Sequence, residues 1–191
     1  MNRIRCAWAK PGNPLYIAYH DEEWSVPCHD ETRLFEMLNL EGAQAGLSWE
    51  TILNKRQHYR DAFDAWDAER IARYDDTKVT ALMNNAGIVR NRLKIVAAIN
   101  NAKACLQLRD EAGSLDAYLW QWVNGKAIRN AWPTLLDVPA RTPLSDALSR
   151  DLAKRGFKFV GSTIAYAYMQ SIGMVDDHTV DCFLHGGSSK E

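Results

Sequence analysis

The sequence predicts an all-α protein. Helix-starting and helix-stopping residues recur along most of its 191 residues, the apolar side chains between them repeat at helical spacing, and alternating apolar runs bounded by turn residues are missing. The composition, 47% hydrophobic and 25% charged, is that of a folded globule. A chain of this length can bury one sizeable core. We therefore expect a single helical domain over residues 1–191.

Acidic N-cap residues mark the helix starts along the first half. Asp30 and Asp67 each precede a run with helical periodicity, and a carboxylate there can accept a hydrogen bond from a free backbone amide. Either Asp75 or Asp76 begins the next helix, which Gly87 should end in the left-handed conformation. The predicted helices are, in order, one that follows Asp30 and carries Leu34, Phe35 and Leu38, and then 51–63, 68–74, 77–86 and 88–108.

Hydroxyl caps and glycine stops organise the second half. Ser114 begins a helix over 115–123 that Gly125 ends, and Thr142, followed by proline, begins a helix over 143–155. Gly161 precedes a last helix over 162–172. The stretch 125–141 has no helical pattern, and we interpret it as a surface connection between helices. Residues 186–191 are predicted to form a loose tail.

Charge and hydropathy limit the partners and the compartment. The formal net charge is −1, so nucleic-acid binding would have to use a local basic patch. No run approaches the roughly 18 apolar residues of a membrane span, and no apolar signal core follows the charged N-terminus. We expect a cytoplasmic protein without membrane contact, whose four cysteines do not form a disulfide framework.

One carboxylate stands where the pattern predicts a buried side chain. Leu34, Leu38 and Glu41 are spaced at i, i+4 and i+7, so Glu41 should point where the leucines point. An inward carboxylate is costly unless something pairs with it. A turn of small residues follows at 42–46. The side chains that the sequence places around this carboxylate are aromatic, namely Tyr16, Tyr19, Trp24 and Trp49.

The combination of an anion with aromatic faces indicates a particular class of guest. A flat, electron-poor molecule that donates hydrogen bonds would satisfy both the rings and the carboxylate. A nucleobase has these properties, and a cationic nucleobase has them to a greater degree. The alternative is that a local helix bend exposes Glu41 and that the aromatic residues are ordinary core.

A second constellation has the spacing of metal ligands. His178 and Cys182 lie one helical turn apart, which suits Zn²⁺ if two further ligands come from elsewhere. Cys6 and His20 are the natural candidates, and such a site would tie the two ends of the chain together. The alternative is a helix-end histidine beside a buried free thiol. The rival ligands are Cys28, His29 and His185.

Two glycine-containing junctions could bind phosphate. At 86–88 and again at 159–162 a glycine lies between apolar residues and a helix start, where unpaired amides and the helix dipole favour an anion. Ordinary helix junctions with solvated cations are the alternative interpretation. The basic residues at the first junction are Arg90, Arg92 and Lys94, and those at the second are Lys154, Arg155 and Lys158.

Several segments in order along the chain resemble one known family. They are Y-I-A-Y-H-D-E-E-W at 16–24, L-E-G-A-Q-A-G-L-S-W at 40–49, A-G-I-V-R at 86–90 and K-R-G-F-K-F-V-G at 154–161, which runs on to Asp177 and His178. In these segments the chain resembles the 3-methyladenine DNA glycosylase I family of bacterial alkylation-repair enzymes. The resemblance covers nearly the whole chain, roughly from Cys6 to Cys182.

The resemblance implies a fold, an activity and roles. It implies a helix-hairpin-helix architecture of two helical lobes with a base pocket between them. It implies a monomeric, monofunctional glycosylase that flips 3-methyladenine out of alkylated double-stranded DNA and excises it hydrolytically, in base excision repair. The implied residues are Glu41 as the pocket carboxylate; Tyr16, Tyr19, Trp24 and Trp49 at the base; Cys6, His20, His178 and Cys182 on a structural zinc; and Lys154, Arg155, Lys158, Gly161 and Ser162 at the DNA.

At one position the chain departs from the family pattern. The family typically has Asn-Asp-His where this chain has Asp176, Asp177 and His178. Asp176 either occupies the position of a catalytic aspartate found in related helix-hairpin-helix glycosylases or is a near-isosteric replacement with a capping role. Two other functions are open: a non-catalytic, zinc-stapled binding module, and a bifunctional glycosylase-lyase. The second needs a nucleophilic lysine, and no compelling one is present.

Overall fold

The computed structural model describes residues 3–186, and the chain there is mostly helical, as predicted. The α-helices are α1 (Pro14–Glu22), α2 (Glu31–Gln44), α3 (Trp49–Ala62), α4 (Ala68–Ile71), α5 (Asp76–Asn84), α6 (Arg92–Ala112), α7 (Leu115–Trp120), α8 (Pro143–Lys154) and α9 (Ser162–Ser171). Short 3-10 turns cover Asp64–Trp66, Gln121–Val123 and Leu135–Asp137. Two short strands, β1 (Ile128–Arg129) and β2 (Val175–Asp176), pair in parallel.

The predicted N-caps are confirmed. The side chains of Asp30, Asp67 and Asp75 accept hydrogen bonds from backbone amides three residues further on, at the starts of α2, α4 and α5. Ser114 does the same at α7, and Thr142 forms a reciprocal capping box at α8. Local side-chain chemistry therefore sets most helix starts, since each cap satisfies an amide that has no partner inside its helix.

Helix boundaries differ from prediction where other contacts decide them. α4 ends at Ile71 rather than 74, and α6 begins at Arg92 rather than 88, because the side chain of Asn91 caps it. The prediction of a left-handed stop at Gly87 is wrong. α5 ends at Asn84, and Asn85 accepts a hydrogen bond from the Gly87 amide at 2.8 Å. Glycine is needed there because a Cβ atom would lie 2.9 Å from Cβ of His58.

Helix α1 was not predicted, although its start has a clear local signal. Asn13 caps it and Pro14 is its first residue. Its buried residues are Tyr16, Tyr19 and His20, so its inner face is aromatic and polar rather than aliphatic. An aliphatic stripe, the pattern from which the other helices were predicted, is therefore missing.

Helix α2 lies at the centre of the core. It contacts α3, α6, α7 and α9, and every residue from 34 to 43 is buried. A helix buried on all sides leaves its polar residues without water, so each needs a partner inside the protein. Asn39 has two, the carbonyl of Phe35 and the side chain of Asn101.

The connection over residues 125–141 runs along the surface, as expected, but it also forms part of a cavity wall. Its strand β1 pairs with β2, and the indole of Trp132 donates a hydrogen bond to Asp177 at 2.7 Å. Leu135 and residues 138–140 line the cavity described below. The first half of the loop is therefore fixed to the C-terminal part of the molecule.

Two expectations concern the surface and the end of the chain. In the described part of the chain, no helix is both long enough and apolar enough to cross a membrane. The predicted loose tail at 186–191 lies outside the described residues, apart from Gly186.

Candidate active site and metal centre

A cavity of about 310 Å³ brings together all five residues that the sequence assigned to a pocket. Helices α1, α2, α3 and α9 and the loop over 135–140 form its walls. Its lining includes Glu41 and the predicted aromatic residues Tyr16, Tyr19, Trp24 and Trp49, together with Trp8, Gln44, Thr163, Tyr166, Gln170 and Asp177. The interpretation of Glu41 as exposed by a helix bend is thereby wrong, since this residue is 5% exposed.

The aromatic rings of the cavity contact one another edge to face or at a tilt. The centroids of Tyr19 and Trp49 are 5.1 Å apart, and Trp8 lies 5.6 Å from Tyr16 and 4.9 Å from Trp24. The indole nitrogen of Trp49 is buried without a hydrogen-bond partner in the described part of the chain. Sequence reasoning missed Trp8, whose only signal is its place between Cys6 and the aromatic residues of α1.

The carboxyl group of Glu41 is buried without a compensating cation. Burial raises its pKa from 4.5 to about 8, and the nearby Ser171 hydroxyl opposes that shift only in part. No charged group within residues 3–186 contributes to this pKa. In the free protein this carboxyl group is therefore largely neutral at pH 7, and a cation entering the cavity would favour the carboxylate.

A second carboxylate at the cavity, Asp177, is fully satisfied by the protein. It is 1% exposed and accepts four hydrogen bonds, from Asn130, Trp132, Tyr166 and Gln170, at 2.6–2.7 Å. These donors come from the 125–141 connection and from α9. Asp177 thus joins the two walls of the cavity, and it has little capacity left for a ligand.

The four predicted metal ligands lie together. The ligand atoms of Cys6, His20, His178 and Cys182 all lie within 4.8 Å of one another, and all four residues are buried. The three rival residues are not part of the cluster. His29 pairs with Asp116, His185 contacts the carbonyl of His178, and Cys28 is a free thiol outside the cluster.

The chemistry of this cluster fits a tetrahedral metal ion. Nε2 of His178 is buried without a hydrogen-bond partner, and Nε2 of His20 lies 3.5 Å from the sulfur of Cys182. Both Nδ1 atoms contact carboxylates at 2.7 Å, which leaves the Nε2 atoms for a metal. A hydrogen bond from the Cys6 thiol lowers the pKa of Cys182, and His20 adds to that effect, so the site favours a thiolate.

The cavity and the metal cluster share a wall. Cys6 and Thr179 line the cavity, while the ring of Trp24 packs edge to face on His178 with centroids 4.8 Å apart. The ring of Trp8 packs on that of His20, with centroids 5.1 Å apart. A change at the cluster therefore reaches the aromatic wall of the cavity through direct contact.

The junction between α8 and α9 differs from the junction at Gly87. Gly161 precedes α9 and provides no side-chain cap, so the first amides of this helix have no side-chain acceptor. Lys154 and Lys158 are exposed beside it. At the first junction, Lys55 donates to the carbonyls of Ala86 and Gly87. The second junction thus offers an anion both helix amides and exposed lysines.

Two of the predicted DNA-binding side chains also have protein partners. The guanidinium of Arg155 forms ion pairs with Asp151 and Glu111 and lies over the ring of Tyr118. The hydroxyl of Ser162 lies 2.9 Å from that of Ser145. We therefore expect Arg155 to contribute less to an external contact than the two exposed lysines.

Known proteins resemble this chain over nearly its whole length. Residues 8–185 match the family described as methyladenine glycosylase. DNA-3-methyladenine glycosylase 1 of Escherichia coli (strain K12) is 47% identical over 184 residues, which cover 96% of this chain and 98% of that protein. A crystal structure of 3-methyladenine DNA glycosylase I has a TM-score of 0.93 at 48% identity, covering 95% of this chain and 100% of that one.

A more distant structure agrees with these matches. A structure titled for the basis of 3-methyladenine recognition by 3-methyladenine DNA glycosylase I of Staphylococcus aureus has a TM-score of 0.92 at 34% identity. It covers 97% of this chain and 98% of that one. Sequence and fold lead to the same assignment, and the chain belongs to the methyladenine glycosylase family.

Proposed function

We propose that this protein is a DNA glycosylase that excises 3-methyladenine from alkylated double-stranded DNA, as a step of base excision repair. The observation that carries the proposal is the buried carboxyl group of Glu41 inside an aromatic cavity, with no cation among residues 3–186 to offset its charge. The relatives are named for the same activity, and one is described in complex with 3-methyladenine.

Recognition of the base follows from charge and stacking. Alkylation at N3 makes the adenine in DNA cationic, and each aromatic ring stacked on a desolvated cation contributes about 1–2 kcal/mol. The side chains proposed to contact the base are Tyr16, Tyr19, Trp24 and Trp49. Glu41 accepts a hydrogen bond from the exocyclic amine and offsets the positive charge. Neutral adenine brings no positive charge and so gains no pairing with an ionised Glu41, and the pocket therefore favours the cationic base over it.

The bond-breaking step needs little acid catalysis. The cationic base is already a good leaving group, so the N-glycosidic bond breaks with its electron pair passing to the base, which departs neutral. Water adds to the oxocarbenium-like sugar carbon and loses a proton to solvent. Among residues 3–186 no lysine lines the cavity. The proposal is therefore a monofunctional enzyme that leaves the DNA strand intact.

The DNA contact is proposed at the junction between α8 and α9. The backbone amides of Gly161 and Ser162, with the exposed Lys154 and Lys158, would hold the DNA phosphates in the manner of a helix-hairpin-helix motif. The base pocket would then lie between two helical lobes. With a formal net charge of −1, few phosphates can be neutralised, so binding should be modest and salt-sensitive. We propose that the protein acts as a monomer.

The metal is proposed to be one structural Zn²⁺. The thiolates of Cys6 and Cys182 and Nε2 of His20 and His178 would hold it, with the soft donor set that zinc prefers. It would supply stability by joining segments 158 or more residues apart along the chain, the distance from His20 to His178. Metal analysis of the parent protein and of Cys182→Ser tests this assignment, and full zinc occupancy in the variant would contradict it.

Incubation with methylated duplex DNA, followed by chromatography of released bases, tests the proposed activity. Free 3-methyladenine without strand cleavage is the expected result. Binding of DNA with no released base would favour a non-catalytic binding module instead. A covalent DNA adduct trapped by borohydride would favour a glycosylase-lyase.

Lys158→Glu should weaken binding to damaged and undamaged duplex alike, and loss confined to damaged DNA would contradict its assignment to the phosphates.

A further inference from the structure

We infer that Asp176 is a positioning residue for the metal site, a carboxylate that orients His178 rather than a catalytic group. Two interpretations of this residue were open from the sequence, a catalytic aspartate and a capping replacement for asparagine. The inference rests on the proposed metal site, and it adds a residue to that site beyond the four ligands.

The geometry places the Asp176 carboxylate on the ring of His178. Oδ1 of Asp176 lies 2.7 Å from Nδ1 of His178 and also accepts the His178 backbone amide at 3.2 Å. Nδ1 therefore carries the ring proton when the histidine is neutral, because only then can it donate to the carboxylate. The other nitrogen, Nε2, is left as a lone-pair donor, and it is buried without a hydrogen-bond partner among the described residues.

The same geometry separates Asp176 from the reaction. Asp177, its neighbour, lines the cavity, whereas Asp176 does not. Asp176 also belongs to β2, which pairs with β1, so its backbone is fixed with the side chain directed to His178. A group in this position is not placed to meet a base or a sugar carbon in the cavity.

His20 has a parallel arrangement that makes the expected effect of Asp176 clear. Nδ1 of His20 lies 2.7 Å from Asp21, but Arg5 forms two hydrogen bonds with the same carboxylate, at 2.6 and 2.8 Å. Among residues 3–186 no Arg or Lys forms an ion pair with Asp176, and Arg129, its neighbour across the strand pair, acts on this carboxylate only through its charge at longer range. A carboxylate holds the His178 ring in this orientation more firmly than the uncharged asparagine that the family typically has here, because its hydrogen bond to the ring N–H is charge-assisted.

Zinc affinity of the purified protein tests the inference. The variant is Asp176→Asn, which keeps an oxygen acceptor for the ring N–H and the backbone amide but removes the charge. The matched control is Asp181→Asn, which removes the same charge at an exposed position next to Cys182. Each protein is loaded with zinc and titrated with a chelating dye of known affinity. A cobalt-substituted sample reports the ligand geometry through its absorption spectrum.

We expect Asp176→Asn to weaken zinc binding about tenfold and Asp181→Asn to leave it unchanged. Tenfold is the low end of the roughly 10–100-fold loss of metal affinity seen when a residue that hydrogen-bonds to a metal ligand is replaced. Asp176→Ala should weaken it further, and if that variant fails to fold, the asparagine variant alone decides. Equal zinc affinity in the parent, Asp176→Asn and Asp181→Asn would overturn the inference. So would a zinc-saturated Asp176→Asn with intact affinity but lost excision, which would make Asp176 catalytic. A parent protein that binds no zinc would instead defeat the metal site itself.

Discussion

Helix α2 carries two buried glutamates five residues apart whose surroundings are opposite. Glu36, 3% exposed, is held by bidentate hydrogen bonds from Arg56 and Arg60. Burial alone would raise its pKa, but hydrogen bonds from these arginines outweigh that effect and hold the pKa below its ordinary value. Glu41 is as deeply buried, has no cation, and its pKa rises to about 8.

The difference separates a structural carboxylate from one that is prepared for a ligand. At Glu36 the protein supplies the compensating charge, and Arg56 extends the network to Glu23 at the end of α1. At Glu41 the residues of the described chain supply no such charge, and we propose that the guest supplies it. Burial of a carboxylate is therefore a weak sign of function, whereas burial without a partner inside a cavity is a strong one.

The largest effect on the free energy of unfolding should come from breaking the ion pairs of Glu36. Glu36→Gln leaves Arg56 buried with one of its two carboxylate partners gone, and removing one partner of a buried pair costs about 3–5 kcal/mol. Unfolding by urea should show a fall in the free energy of unfolding near the lower figure, because Glu23 still holds Arg56. Excision per folded molecule should persist. An unchanged free energy of unfolding would show that the network is not structural.

Glu41→Gln should reverse that pattern. It keeps an acceptor but removes the charge, so single-turnover excision of 3-methyladenine should lose about 1.5–3 kcal/mol, roughly 10–150-fold. Stability should move the other way above neutral pH. The raised pKa means that the neutral carboxyl group stabilises the fold below pH 4.5 and that this contribution is lost as pH rises through about 8. At pH 9 the variant should therefore unfold at higher urea than the parent.

A smaller effect is expected from the rings beside Glu41. Trp49→Ala removes stacking but leaves the carboxyl group, so binding of the cationic base should weaken by about 1–2 kcal/mol. The high pKa of Glu41 should fall somewhat, since water would enter the enlarged cavity. Excision by Trp49→Phe, which retains a ring, is the control. Equal losses in both variants would show that stacking is not the contribution of Trp49.

The sequence alone indicated Glu41, four aromatic residues of its cavity and the candidate metal ligands, but not the other walls of the cavity or the ion pairs of Glu36. The i, i+4, i+7 spacing with two leucines revealed an inward carboxylate, and the spacing of His178 and Cys182 revealed half of the metal site. Glu36 gave no such signal, because α2 is buried on all sides and its arginine partners come from another helix. Trp8 and the 135–140 wall have no periodicity, and their place depends on tertiary contacts.

The orientation of Asp176 was likewise beyond sequence reasoning. Asp176 is next in sequence both to Asp177, which lines the cavity, and to the segment that carries the metal ligand His178. The pairing of β2 with β1 fixes its backbone, and its side chain contacts His178. Local caps, by contrast, were predictable because each depends on a side chain and an amide three residues apart.

A carboxyl titration of Glu41 in the free protein tests the central claim most directly. The carboxyl carbon is followed by NMR from pH 4 to 10, with Glu41→Gln used to assign its resonance and Glu36 as the internal comparison. We expect Glu41 to titrate near pH 8 and Glu36 to remain ionised to below its ordinary pKa. Bound DNA carrying a cationic base analogue should move the Glu41 midpoint down. A Glu41 midpoint near 4.5 in the free protein, unchanged by the analogue, would contradict the claim that this carboxyl group is buried without a cation and binds a cationic base.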